Sequence, residues 1–135
     1  MAIVTPPIAC RPASLRGHVR LAAVPGVGPR VRRALLERFG SPDAVFDAAP
    51  EALAAVPGVG PKLAGAIAAG VDDRFVDGVL SICRDRNVRA VLHGGEDYPG
   101  LLAQIHDPPG LLFVRGALLP CDALAVAIVG SRHAT

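Results

Sequence analysis

The feature that most restricts this chain is an internal repeat. Val24-Pro25-Gly26-Val27-Gly28-Pro29-Arg30 returns thirty-two residues later as Val56-Pro57-Gly58-Val59-Gly60-Pro61-Lys62, identical at six of seven positions and basic at the seventh. Such a repeat implies two copies of one supersecondary unit. Each copy places two glycines around one valine, which suits a backbone that turns sharply and approaches something without Cβ atoms in the way. The proline that follows suits the first position of a helix, where its missing N–H costs nothing.

The flanks repeat as well. Short helical stretches, Val19–Ala23 and Glu51–Ala55, precede the two turns. After the first, Val31, Ala34, Leu35 and Phe39 form one apolar face, with Arg30, Arg33 and Glu37 off it and Gly40 as the stop. After the second, Leu63, Ala64, Ile67 and Ala68 form the corresponding face and Gly70 ends it. Ser41-Pro42-Asp43 caps a linking helix through Ala48. The spacing therefore predicts a pair of helix–hairpin–helix units. A further helix is expected from the cap Asp72 to about Arg86, burying Phe75, Val79, Ile82 and Cys83, with Asn87 ending it.

From Val88 the period changes to short apolar runs. Val88–Leu92 and Leu111–Val114 read as strands. Ala123–Val129, apolar throughout, reads as a strand covered on both faces of a parallel sheet. The fold expected is α+β: an N-terminal tail over 1–18, an all-α, SAM-like domain over 19–87, and the first strands of a Rossmann-like α/β domain over 88–135. The runs Leu111–Val114 and Ala123–Val129 would then be unpaired edges that favour self-association.

Composition narrows the function. The chain has 135 residues, 51% of them hydrophobic, but 23 are alanine and there is no Trp. That describes a close-packed core of small residues. The longest uninterrupted apolar run is far shorter than the roughly 18 residues a membrane span needs, so no membrane partner is expected. Ala2–Ala9 is broken by Pro6 and Pro7 and lacks the basic start of a secretory leader. Cys10, Cys83 and Cys121 are odd in number and widely spaced, as in a reducing, cytoplasmic setting. Net charge is +2, yet residues 1–40 hold seven Arg against Glu37 alone, and the remainder is net negative. That asymmetry suggests an anionic ligand at the N-terminal third.

The turns themselves offer such a site. Successive N–H groups at the start of the second helix lack intrahelical partners, and the helix dipole favours negative charge there. Gly26, Gly28, Arg30 and Arg33 in the first copy, and Gly58, Gly60 and Lys62 in the second, are the candidate nucleic-acid-binding residues. No side chain in the motif can read a base edge, so the phosphate backbone is the expected contact. The alternative is that the glycines serve only the turn geometry, above all in the second copy, where Lys62 stands alone. A second candidate is Gly130-Ser131-Arg132, where a buried strand would run either into a phosphate-binding turn or into a plain strand-ending one. The histidines have no metal-ligand spacing, and no nucleophile, metal or cofactor motif is present, so binding rather than enzymatic catalysis is expected.

In order along the chain, Tyr98-Pro99-Gly100-Leu101-Leu102, Ile105-His106-Asp107-Pro108-Pro109, Leu112-Phe113-Val114-Arg115-Gly116 and Ala127-Ile128-Val129-Gly130-Ser131-Arg132 resemble the DNA-processing protein A family (DprA, also called Smf). Leu35-Leu36-Glu37-Arg38-Phe39-Gly40-Ser41-Pro42 is similar too. The resemblance runs from about Leu21 to Thr135. It implies a bacterial cytoplasmic protein of natural transformation and homologous recombination. Such a protein binds single-stranded DNA, helps load a RecA-type recombinase and forms a homodimer when full-length. It also implies that Gly130, Ser131 and Arg132 lie on a phosphate-contacting turn, and that a chain ending at Thr135 reaches only the first strands of the Rossmann-like domain and lacks much of the activity. Two other readings stay open: a nucleotide-binding Rossmann-type enzyme with accessory hairpins, and a helical protein-interaction module.

Overall fold

The computed structural model describes residues 12–124 and 126. Six helices come first: α1 (Pro12–Ala23), α2 (Pro29–Phe39), α3 (Pro42–Phe46), α4 (Pro50–Ala54), α5 (Pro61–Ala69) and α6 (Asp73–Asp85). They are followed by β1 (Val88–Leu92), α7 (Gly100–Ala103), β2 (Leu111–Arg115) and a 3-10 turn over Pro120–Leu124. The architecture is α+β, helical first and with a small sheet after. Among the described residues no helix is long and apolar enough to cross a membrane.

The repeat produces two hairpins of matching geometry. Gly26 and Gly58 have φ of +90° and +85°, a region that disfavours any side chain. In both, the second valine closes the turn onto the first: Val27 N–H donates to Val24 O at 3.1 Å, and Val59 N–H to Val56 O at 3.0 Å. The core pairs equivalent positions of the two copies, Leu21 with Leu53, Val24 with Val56, and Leu35 with Ile67, all in one buried cluster. The copies also clasp each other. A Cβ on Gly26 would stand 3.1 Å from Leu63 Cδ1, and one on Gly58 would stand 3.4 Å from Val31 Cγ2. Val31 and Leu63 are themselves equivalent, so the contact is reciprocal and the two units share a pseudo-two-fold relation.

The linking helix forms as its cap predicts: Ser41 Oγ accepts from Ala44 N–H at 3.2 Å, ahead of Pro42 at the first position. The helix before the first hairpin begins well before Val19. Its interior Gly17 lets α1 come close to α3, since an added Cβ would meet Asp43 and Pro42 at about 3 Å. A glycine and a leading proline hide such a helix from a periodicity reading. In α5 the buried face is Leu63, Ala64 and Ile67, while Ala68 is exposed.

Three expectations are corrected. Helix α6 starts after Asp72, whose carboxylate accepts from Arg74 N–H, but its buried face is centred on Val76. Phe75 and Ile82 are 54% and 57% exposed. The face of α6 that carries Val76 is turned towards α1, where Arg16 pairs with both Asp73 and Asp77. Leu111–Val114 is paired on one side: β2 pairs with β1 along its whole length, Val88 opposite Arg115 and Leu92 opposite Leu111, and among the described residues only its other side stays an open edge. The pairing is antiparallel, so among the described residues there is no parallel sheet. Finally, Ala123 and Leu124 belong to the 3-10 turn, which Asp122 closes by accepting from Leu119 N–H at 2.7 Å. The rest of the expected Ala123–Val129 strand lies outside the described residues, apart from Val126, which is exposed.

Candidate nucleic-acid interface

Each hairpin delivers the start of a helix to the surface. Gly28 and Gly60 are the N-caps of α2 and α5, with φ of −82° and −84° and ψ of 179° and 172°. That is extended backbone open to any residue, and a Cβ at either position would meet nothing within 4 Å. The fold therefore needs glycine at 26 and 58 but not at 28 and 60. Neither helix has a side-chain cap, so the N–H groups of Arg30 and Val31, and of Lys62 and Leu63, face outward as donors. A serine at the cap would be better for the helix alone. Glycine there leaves both the space and the donors to an approaching group.

The cations are divided between the fold and the surface. Arg30, Arg33, Arg38 and Lys62 are exposed. Arg30 is 75% exposed, with Nε 4.0 Å from Asp107 Oδ1. Arg16 is committed to Asp73 and Asp77, and Arg20 lies over the ring of Phe46 at 4.5 Å. Arg32 is only 8% exposed. The basic N-terminal third is thus in good part structural. Among the described residues, the cationic surface it leaves is Arg30, Arg33 and Arg38 on α2, with Lys62 on the second hairpin. Gly130, Ser131 and Arg132 lie outside the described residues.

Arg32 was not legible as a special residue. It donates from Nη2 to His18 Nδ1 at 2.7 Å, so the ring accepts there and carries its proton on Nε2. Burial first, then the charge of Arg32, pushes the His18 pKa down to about 4, with Asp43 acting the other way. Burial also lowers the pKa of Arg32. An unfolded histidine titrates near 6.5, so between pH 6.5 and 4 the unfolded chain binds a proton that the folded one does not. Stability is expected to fall as pH drops through that window and to lose this contribution fully below about 4. Urea midpoints measured from pH 7 to 4 check this against His18→Gln. Equal pH dependence in both proteins would contradict it.

Beside Arg32 a cleft of about 280 Å³ opens between α2 and residues 93–110. Pro29, Arg33, Leu36 and Glu37 line one side, and His93, Asp107, Pro108 and Gly110 the other. The 93–110 segment is braced by Tyr98, whose hydroxyl donates to Pro109 O at 2.7 Å and whose ring meets His93 edge-on. Arg32 lies flush against Gly110, leaving no room for a Cβ there. These partners are far apart in sequence, and only Asp107-Pro108-Pro109 marks the place as a turn.

Comparison with known proteins adds three findings. Residues 19–73 match the model of the SAM-like helix-hairpin-helix tandem. Residues 89–135 match the model of DNA recombination-mediator protein A. Protein Smf of Borreliella burgdorferi is 31% identical over 61 residues, which are 45% of this chain and 19% of that protein. The aligned part is thus about a fifth of that relative's length. No solved structure matches the chain.

Proposed function

We propose that the chain belongs to the DNA recombination-mediator protein A family (DprA or Smf), whose model residues 89–135 match, and that it binds single-stranded DNA through its hairpins during transformation and recombination. The observation that carries this reading is the pair of N-cap glycines, Gly28 and Gly60. Both occupy backbone that does not require glycine, both border open space, and both leave first-turn N–H donors beside a basic residue. That is an anion site built twice. The first hairpin is the stronger, since Arg30, Arg33 and Arg38 are exposed on α2. Lys62 is the sole basic residue on the second.

Phosphate contact of this kind predicts strong salt dependence. Titrating an oligonucleotide across salt concentrations should give an affinity that falls with a log–log slope of about −0.7 per phosphate engaged. A slope near zero would remove the phosphate as ligand and favour a protein-docking role for the hairpins. Arg30→Ala combined with Arg33→Ala should weaken binding and shallow the slope, independent of sequence.

Gly130, Ser131 and Arg132 are proposed as a second phosphate-contacting turn, on the strength of the family match that spans them. Arg132→Ala is then expected to weaken single-strand binding more than Lys62→Ala. Equal or reversed effects would show the ranking of the two sites to be wrong. Cytoplasmic location, loading of a RecA-type recombinase, homodimerisation and a role without catalysis complete the proposal, and they rest on the family. Whether the protein speeds recombinase assembly on single strands tests the partner.

A further inference from the structure

The cleft beside α2 holds a buried donor atom and a buried acceptor atom that no other described residue uses. Among the described residues, Arg32 Nε and Asp107 Oδ1 have no hydrogen-bond partner. Arg32 is more than nine-tenths buried and lines the cleft. Arg30 Nε, at 4.0 Å, is too far from Asp107 Oδ1 to bond it. Leaving such atoms unpaired in a folded protein is costly, and a ligand that supplies both an acceptor and a donor would satisfy them.

The ligand's class follows from the walls. Arg32 and Arg33 are balanced by Glu37 and Asp107, so the cleft offers little to a phosphate, and the two carboxylates would repel one. Pro29, Leu36 and Pro108 supply apolar surface, and His93 an exposed ring. A neutral, flat group with hydrogen-bonding edges fits this lining, and in nucleic acids that group is the base. Pro29 is both the first residue of α2 and a wall of the cleft, so the cleft adjoins the phosphate-binding end of the first hairpin.

We propose that the cleft between α2 and residues 93–110 receives one unstacked nucleobase, with Arg32 donating to its edge and Asp107 accepting from it. This rests on the single-strand reading above and extends it from phosphate to base. It also supplies what the hairpins lack, a reason to prefer single strands, because a paired and stacked base can neither enter a cleft nor offer its Watson–Crick edge.

The test uses the 135-residue chain, a short mixed-sequence single strand, an abasic strand of the same length, and the four deoxynucleoside monophosphates. Binding constants are measured for wild type and Asp107→Asn, and amide resonances of 93–110 are followed by NMR. The base-bearing strand is expected to bind more tightly than the abasic one and to shift those resonances. Asp107→Asn, close in shape to the parent residue, should lower that affinity by about tenfold or more and leave the abasic strand unaffected. Equal affinity for both strands, with the 93–110 resonances unmoved, overturns the base site and leaves phosphate binding standing. Monophosphates that shift the cleft while neither strand binds would support the base site and overturn the strand reading. No response to any of the probes overturns both. An unchanged fold of Asp107→Asn is read from the same spectra.

Discussion

Truncating Leu35 or Ile67 to alanine lowers the unfolding free energy by about 2–5 kcal/mol, and in both cases within one and the same transition. The two residues are fully buried, occupy equivalent positions of the repeat, and lie in a single core cluster. Removing either leaves a cavity walled by both copies, because the hairpin glycines of each copy pack on the first helical turn of the other. One cooperative unit has one midpoint, and both variants move it together. Calorimetry or urea titration checks this. Two separate transitions, each shifted by one variant, would mean that the hairpins fold independently.

The second large effect separates the four hairpin glycines into two pairs. Gly26→Ala or Gly58→Ala should cost roughly 1–3 kcal/mol, since each forces a side chain into positive φ and against Leu63 or Val31. Gly28→Ser together with Gly60→Ser should act in the opposite sense, raising stability by a few tenths of a kcal/mol per cap. The serine hydroxyl accepts from the first-turn N–H groups, which are the groups proposed to hold phosphate. The same double variant should therefore lose DNA affinity by about tenfold. A protein that is more stable and binds less DNA would separate ligand from geometry. Unchanged affinity would show that glycine at 28 and 60 serves no ligand.

Both predictions draw on features that differ in how far they could be read from the chain alone. The turns, their prolines, the cap at Ser41 and the cap at Asp72 depend on residues within about four positions of each other. For such signals, spacing is sufficient. The hairpin turns belong to this class, which is why Gly26 to Arg30, proposed as a phosphate site, stand out directly in the sequence. Phe75 and Ile82 show the limit. They are apolar at helical spacing, yet α6 buries Val76 instead and presents its carboxylates to Arg16, some sixty residues earlier. The +6 charge of the first forty residues was equally misleading as a measure of free cations. Arg16, Arg20 and Arg32 hold the fold together, and nothing local distinguishes them from Arg30 or Arg33.

By itself, the sequence determined that there are two hairpins, where each turns, which helices follow, and that the chain passes from helix to strand near Val88. These are matters of backbone sterics and capping, decided within a turn or two of chain. Which arginines remain for a ligand, the antiparallel run of β1 and β2, and the placing of Arg32 and Asp107 on one cleft all come from long-range packing. Those outcomes depend on which distant groups share a buried space, and burial is a property of the packed chain rather than of any segment of it.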